Sequence, residues 1–347
     1  MPTITTESIP QPHLIVCSPS NFAMVDYRHT DHHRNGASSM ASHPFKLGIF
    51  LNELQLPLDE GLEEANELGV DFVWFTGLPG MPAVADLTDA EADEIQRRIE
   101  AVELEHMKVS AGSPFKFLDL TEVTVDTLED HEEFQADFRA MVRSMELANR
   151  FGVGAVSVYS FAWPGEYTAD KPTWPMRWMT RGGIISDVEM DKLVKAYTLM
   201  VEQAEKHDVD LVLSMMPWNY TNTTENFRLV AERIGSDRIK AMWGAADNFN
   251  CGESDVSTRG FVNIKPYVFG MHVKDLRVND GLNLDFDYLP FGEGEVDYRT
   301  VFRNVRDNGL APYVSISTHW TPENGDRVEA MRTQVRNVRS LLDTLDD

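Results

Sequence analysis

The feature that most constrains the fold of this chain is a repeated alternation of short apolar segments with longer amphipathic ones. From residue 45 onward, eight apolar runs of four to seven residues alternate with segments whose apolar residues recur every three or four positions. Short apolar runs are typical of buried strands, and the recurring spacing is typical of amphipathic helices. The alternation predicts an α/β protein with a parallel sheet and crossover helices. Eight units in roughly 300 residues predict a closed (β/α)8 TIM barrel.

The strand and domain limits follow from the same pattern. The predicted strands are residues 46–51, 72–76, 108–111, 155–161, 210–215, 239–243, 268–274 and 313–317. An open doubly wound sheet is the alternative fold, but no glycine-rich dinucleotide turn follows any of these strands. Residues 1–44 contain several prolines and a polar histidine cluster, Arg28–Arg34. We therefore predict an N-terminal extension, residues 1–44, and a single barrel domain, residues 45–347.

Composition excludes several classes of partner. The formal net charge of −25 argues against nucleic acid and against anionic membranes, because both are bound mainly through clustered Lys and Arg. No apolar run reaches the roughly 18 residues of a membrane span, and residues 1–12 lack the pattern of a secretory signal. Only Cys17 and Cys251 are present, too few for a disulfide framework. These observations favour a cytoplasmic protein with no membrane and no nucleic-acid partner.

Three motifs carry a family resemblance. His272-Val273-Lys274-Asp275 ends the seventh predicted strand, and Gly292-Glu293-Gly294-Glu295-Val296-Asp297 follows it. Val209-Asp210-Leu211-Val212-Leu213 leads to Asn222-Thr223. Together these motifs closely resemble the xylose-isomerase-like sugar isomerases and epimerases, over roughly residues 45–320. The resemblance implies a xylose-isomerase-like TIM barrel with a small-molecule carbohydrate or glycoside as its substrate.

The resemblance also implies a divalent metal, but the ligands differ here. The family presents a Glu ending strand five, an Asp ending strand six, the His of strand seven and a Glu ending strand eight. In this sequence those positions hold Ser214, Gly244, His272 and Ser317. We expect this four-ligand site to be degenerate and favour no metal cofactor. The alternative is a site made of Asp247, His272 and His319, since two histidines and one carboxylate suit Zn²⁺ or Fe²⁺.

The candidate catalytic residues lie at the carboxyl ends of the predicted strands, where barrel enzymes hold their active sites. His272 and His319 are the groups that titrate nearest neutral pH, so they are the first acid–base candidates. Asp247 and Lys274 follow. The alternative role for Lys274 is an ion pair with its neighbour Asp275 at the barrel rim.

Aromatic residues indicate how a substrate would be held. Six of the seven tryptophans end predicted strands or follow them, where their faces can pack on sugar C–H groups. The predicted substrate-binding residues are six tryptophans, two serines and one arginine: Trp163, Trp174, Trp178, Trp218, Trp243, Trp320, Ser214, Ser317 and Arg177. Residues 160–183 form a long connection that we predict to be a lid.

The predicted function is that of a carbohydrate-active enzyme of isomerase, epimerase or lyase type. It would abstract a proton next to the carbonyl of a sugar, keto-sugar or glycoside, with histidines as the acid and base. The alternative is a non-catalytic barrel that has lost the family's metal site and binds a ligand or supports a partner subunit. We expect a homo-oligomer or an assembly with a partner subunit.

Overall fold

The described part of the chain is organised around a parallel sheet that curls into a ring. This computed structural model describes residues 43–121, 123–163, 183–280 and 285–346. Its strands are, in chain order, β1 (Lys46–Phe50), β2 (Phe72–Trp74), β3 (Glu105–His106), β4 (Ala155–Tyr159), β5 (Asp210–Ser214), β6 (Ile239–Trp243), β7 (Val268–Val273), β8 (Asp275–Asp280), β9 (Asp285–Leu289) and β10 (Tyr313–Ile316).

Eight of these strands form the barrel. Their order is β3-β2-β1-β10-β7-β6-β5-β4, and every pairing is parallel. A parallel bridge between Val109 and Val156 joins the chain after β3 to β4, across the remaining gap. The predicted (β/α)8 barrel is therefore confirmed, with β10 as its eighth strand.

Helices connect consecutive barrel strands. They are α1 (Leu58–Glu67), α2 (Asp89–Ala101), α3 (Glu132–Phe151), α4 (Asp187–His207), α5 (Thr224–Ile234), α6 (Ala245–Asn250), α7 (Phe261–Ile264), α8 (Tyr298–Asp307) and α9 (Arg327–Asp343). Local sequence sets their ends. Thr88 and Glu91 form a capping box at the start of α2, and Gly152 ends α3 in the left-handed conformation that glycine adopts readily.

Two apolar layers hold the barrel together. The larger core lies between the sheet and the helices and includes Ile49, Leu211 and Val314, each fully buried. A second cluster fills the ring itself and includes Phe72, Trp74, Val212 and Met242. Successive strand residues point to opposite faces, so each strand contributes to both layers. The inner layer forms the floor on which the polar groups at the carboxyl ends rest.

The structure differs from the sequence prediction in three elements. The third strand is shorter than predicted and lies earlier, because the chain pairs with β2 only at residues 105–106 and then turns to β4. The hairpin of β8 and β9 was not predicted, since its acidic, alternating residues pair with each other outside the ring. Helix α6 was not predicted either, because six residues are too few to show a helical period.

Two further predictions concern membranes and domains. Within the described residues, no helix is long and apolar enough to cross a membrane. Most of the predicted N-terminal extension, with its histidine cluster, lies outside the described residues. The division at residue 44 therefore stays a prediction.

A half-buried histidine in β3 makes the stability of the barrel depend on pH. The ring of His106 packs between Phe75 and Phe151, with centroids 5.3 and 5.2 Å away. Burial lowers the pKa of His106 from 6.5 to about 4. Between these values the unfolded chain binds a proton that the folded chain does not, so stability falls as pH falls.

We predict that His106→Leu flattens this part of the pH profile. Between pH 6.5 and pH 4 the variant should lose less unfolding free energy than the wild type, by up to about 3 kcal/mol. Urea denaturation at several pH values measures the difference. Parallel profiles for the two proteins would show that His106 titrates normally in the fold.

Candidate active site

A cavity of about 170 Å³ opens at the carboxyl ends of the barrel strands, which we call the barrel mouth. Its wall contains all four of the predicted catalytic residues, His272, His319, Asp247 and Lys274. His272 lies in β7 and Lys274 directly follows that strand, while Asp247 lies in α6 directly after β6. The structure thus gathers into one cavity groups that are up to 72 positions apart in the sequence.

A buried ion pair lies at the mouth. Lys274 Nζ lies 2.8 Å from Asp247 Oδ2, and the two side chains are only 2% and 5% exposed. A glycine makes room for this carboxylate, because a Cβ at Gly244 would overlap Asp247 Oδ2. An attraction in a buried site is stronger than at the surface, and each charge depends on the other to offset its lost hydration.

The predicted alternative pairing of Lys274 with Asp275 is wrong. Asp275 instead accepts the backbone N–H groups of Gly292 and Gly294, at 3.0 and 3.1 Å from its Oδ2. A side chain at Gly294 would overlap the carboxylate, so glycine is required there. The aspartate of the first motif therefore holds the glycine turn of the second, which explains in physical terms why the two motifs occur together.

A chain of hydrogen bonds extends from the ion pair across the mouth. Lys274 Nζ lies 3.4 Å from His319 Nε2, and His319 Nδ1 lies 3.2 Å from Glu53 Oε1. Ser317 also donates its hydroxyl to Glu53 Oε1, at 2.8 Å. The ammonium can only donate and a carboxylate can only accept, which assigns the proton of a neutral His319 to Nδ1. We call these four residues, Asp247, Lys274, His319 and Glu53, the polar chain.

Burial shifts the pKa values of the polar chain. It raises the pKa of Asp247 against the attraction of Lys274, and it raises the pKa of Glu53 against the hydrogen bond from Ser317. Burial, reinforced by the positive charge of Lys274, holds the pKa of His319 well below its usual range. His319 is therefore neutral near pH 7, although 34% of its side chain is exposed at the mouth.

His272 is neutral for the same reasons and is held by rings. Burial first, and then the charge of Lys274, keeps the pKa of His272 well below its usual range. Its ring meets the edges of Trp74 and Phe50, with centroids 5.9 and 6.3 Å away. Its Nε2 has no hydrogen-bond partner among the described residues. The ring of His319 lies 6.4 Å from it, centroid to centroid.

The predicted substrate-binding tryptophans are only partly placed at the mouth. Trp243 is fully buried between sheet and helices, where it contacts Phe261, because the strand turns that residue away from the ring. Trp163 is 8% exposed and packs on Tyr220, and Trp320 also lies outside the cavity wall. Trp243, Trp163 and Trp320 therefore do not line this cavity, and their part in substrate binding stays a prediction.

The other predicted contacts have mixed outcomes. Ser214 lines the cavity, and Trp218 lies nearby, against Lys116. Ser317 is fully buried and acts through Glu53 rather than lining the cavity. Trp174, Trp178 and Arg177 lie outside the described residues, as does most of the predicted lid, residues 160–183.

Several residues at the mouth were not predicted from sequence. Glu53 lies in a 3₁₀ turn, Leu51–Leu54, directly after β1, and Lys116 lies in the connection after β3. Trp74, the one tryptophan left out of the predicted set, lines the cavity and donates its Nε1–H to Ser315 Oγ at 2.7 Å. Each follows or ends a barrel strand, so position could have found them. The family's ligand types alone do not point to these residues.

The family follows from comparison with known proteins. A model of the xylose isomerase-like TIM barrel family matches residues 62–341. The chain belongs to this family. No sequence among the curated proteins matches it.

Solved structures show the same fold at low identity. The 3-keto-D-glucoside 4-epimerase from E. coli is 16% identical, with a TM-score of 0.63 over 85% of this chain and 99% of that one. An L-ribulose 3-epimerase is 15% identical, with a TM-score of 0.63 over 87% and 96%. The IolI protein, whose structure holds a zinc atom, is 18% identical, with a TM-score of 0.64 over 86% and 98%.

The donor groups at the mouth do not fit the divalent metal implied by the family. The carboxylate of Asp247 fills the side-chain space at Gly244, and that of Glu53 is bonded to Ser317, so two acids stand beside two of the family's ligand positions. Each acid is already partnered, however, by Lys274 or by His319. In the described segments no three His, Cys, Asp or Glu side chains converge as ligands, so Asp247, His272 and His319 do not form the alternative site either.

We predict that removing the lysine of the ion pair destabilises the fold strongly. Lys274→Met leaves the buried Asp247 carboxylate uncompensated and should cost about 3–5 kcal/mol of unfolding free energy. The double variant Lys274→Met/Asp247→Asn removes both charges and should recover more than half of that loss. Chemical denaturation measures both.

A surface ion pair provides the matched control. Lys46 Nζ lies 2.7 Å from Glu105, and the side chains are 37% and 48% exposed. Lys46→Met should therefore cost less than about 1 kcal/mol. Equal losses for Lys274→Met and Lys46→Met would contradict the special role given to burial.

Proposed function

We propose that this protein is a carbohydrate-modifying enzyme that removes a proton from the carbon next to a sugar carbonyl. An isomerase or epimerase returns the proton, and a lyase of this type expels a β-substituent instead. The observation that carries the proposal is the polar chain, which places a cation, a neutral imidazole and an acid on one cavity wall, with the second acid, Glu53, behind the imidazole. Buried titratable groups that meet in a cleft are characteristic of functional sites.

Lys274 is the group suited to bind the carbonyl oxygen. When the α-proton leaves, negative charge develops on that oxygen, and a fixed cation in a site of low dielectric stabilises it. Asp247 holds the ammonium in place at 2.8 Å. An ammonium has three N–H donors, so Lys274 can keep its contact with Asp247 and turn another donor from His319 to a substrate oxygen. It supplies the charge that a metal would otherwise contribute.

His319 is the group suited to take the proton. It is neutral before the reaction, and a third of its side chain is exposed to the cavity. Glu53 accepts the Nδ1–H and would stabilise the imidazolium that forms, as an acid does in other histidine-based sites. The Nε2 lone pair takes the proton when the Lys274 ammonium, 3.4 Å away, turns from it to the substrate oxygen. His272, a second neutral imidazole on the same wall, can take the proton of a neighbouring substrate hydroxyl and then return it.

The remaining wall suits a sugar. Trp74 and Phe50 stack at 4.1 Å between centroids, and they give an aromatic surface against which C–H groups can pack. Tyr159 and Ser214, which are hydrogen-bonded to each other, offer hydroxyls to a polyol. The related folds named above include two sugar epimerases, which supports the same class of substrate. Cytoplasmic location and oligomeric assembly stay predictions.

Proton exchange tests this function without requiring the product to be identified. Purified protein is incubated in D₂O with ketopentoses, ketohexoses and 3-ketoglycosides, and ¹H NMR follows loss of the α-proton signal. We expect exchange at one carbon of at least one substrate, unchanged after dialysis against EDTA. Binding without exchange throughout such a panel would favour the non-catalytic barrel instead.

We predict that the two histidines of the mouth are needed for exchange. His319→Gln and His272→Gln should each slow it by about 10²–10⁴, the usual effect of losing a positioned acid or base. His207→Gln, at the end of α4 and outside the cavity wall, is the control and should leave the rate unchanged. Full activity in a folded His319→Gln variant would remove that residue from the mechanism.

A further inference from the structure

We propose that Lys116 forms an imine with the carbonyl carbon of the substrate. The inference rests on the proposed function only in taking a carbonyl sugar as the ligand. It adds a covalent step before proton removal. The imine nitrogen replaces the carbonyl oxygen as the acceptor of the electrons, and Lys274 then acts through its charge beside Lys116. The location, the surroundings and the rigid support of Lys116 each point to this role.

The amine of Lys116 lies among rings rather than acids. The residue lines the same cavity as Lys274 and His319. Its Nζ lies 5.3 Å from the ring centroid of Trp218 and 5.4 Å from that of Tyr159. No carboxylate of the described residues lies within ion-pair distance of it. Lys274, in contrast, is committed to Asp247.

The segment that carries Lys116 is held rigidly. Its carbonyl accepts an N–H of the fully buried Asn219 at 3.0 Å, and Asn219 also donates to the carbonyl of Phe161 at 2.8 Å. The preceding residue, Phe115, has a positive φ of 63°, which its N–H bond to Asp137 helps to hold. Such backbone strain persists only where surrounding contacts maintain it, and it clusters at functional sites.

The same surroundings favour the neutral amine. Burial first, and then the positive charge of Lys274, lower the pKa of Lys116 from 10.5 to about 8, against the opposing attraction of Asp247. Tyr159 is the other titratable group at this amine, and burial raises its pKa, so it stays uncharged. The aromatic rings attract the ammonium form only weakly, and they exclude water without replacing the hydrogen bonds that water would make to it. Desolvation beside a second cation is a known way to activate a lysine nucleophile.

A second lysine of lowered pKa shows why access matters. Burial lowers the pKa of Lys108 to about 7, yet its side chain is fully buried and its Nζ lies 4.0 Å over the face of Trp74. Lys108 does not line the cavity, so a substrate carbonyl cannot reach it without rearrangement of the floor. Lys116 combines the lowered pKa with access.

The covalent step balances without an outside oxidant or reductant. The lone pair of Lys116 Nζ forms a bond to the carbonyl carbon, and the carbonyl oxygen takes up a proton. This oxygen then leaves as water, with one hydrogen from the amine and one proton from solvent, and the C=N bond that remains keeps the second N–H, which makes it a protonated imine. The protonated imine draws electrons from the adjacent carbon, so its proton leaves more readily. Addition of water reverses the step and releases the sugar.

Reductive trapping tests the proposal directly. The full-length protein is incubated near neutral pH with dihydroxyacetone and cyanoborohydride, and labelled peptides are quantified by mass spectrometry. A trapped imine adds the mass of the probe less one oxygen atom. We expect Lys116 to be labelled at least about 100-fold faster than exposed lysines, because its neutral fraction is that much larger.

Two variants serve as controls. Lys116→Arg keeps a cation but cannot form the imine, and it should lose the fast labelling and slow proton exchange. Lys265→Arg, on the surface at the end of α7, should change neither. Labelling spread over surface lysines with no enrichment at Lys116 would overturn the proposal.

The outcomes separate this proposal from the proposed function. Proton exchange without trapping at Lys116 would leave the enzyme assignment standing and refute the imine. Trapping at Lys116 without exchange on any sugar would support the imine and refute the assignment as an isomerase, epimerase or lyase.

Discussion

The ion pair between Lys274 and Asp247 is the interaction on which the rest of the barrel mouth depends. Two charges placed at the end of a parallel barrel lose most of their hydration, and neither can be kept there without the other. Their presence explains the glycine at position 244, which leaves space for the carboxylate. It also contributes to the neutral state of His272 and His319, because burial lowers the pKa of both and the lysine's charge lowers it further.

The same pair would let this barrel work without the divalent metal that its family implies. The mouth contains two acids, but they lie at sequence positions other than the family's ligand positions. Glu53 lies beside Ser317, and Asp247 lies beside Gly244. Lys274 and His319 lie between these two acids and connect them through polar contacts, and Lys274 is a cation. A site that supplies its own positive charge can stabilise a developing enolate without an additional ion.

Much of the fold could be predicted from sequence, and less of the site. The strand and helix pattern, together with the family motif, indicated that His272, Lys274 and His319 lie at the mouth. The partner of Lys274 was missed because residues of adjacent strands meet only in three dimensions. Trp243 was misplaced because alternation along a strand decides whether a side chain faces the ring or the helices, and a shift of one residue reverses it.

The central claim is that the lysine, rather than a metal ion, provides the positive charge at the mouth. A crystal soaked in Mn²⁺, with anomalous data recorded at the manganese edge, tests it most directly. We predict no anomalous peak within coordination distance of His272 Nε2, and an intact contact between Lys274 Nζ and Asp247. A strong peak there, with Lys274 turned away and Asp247 and Glu53 as ligands, would contradict the account.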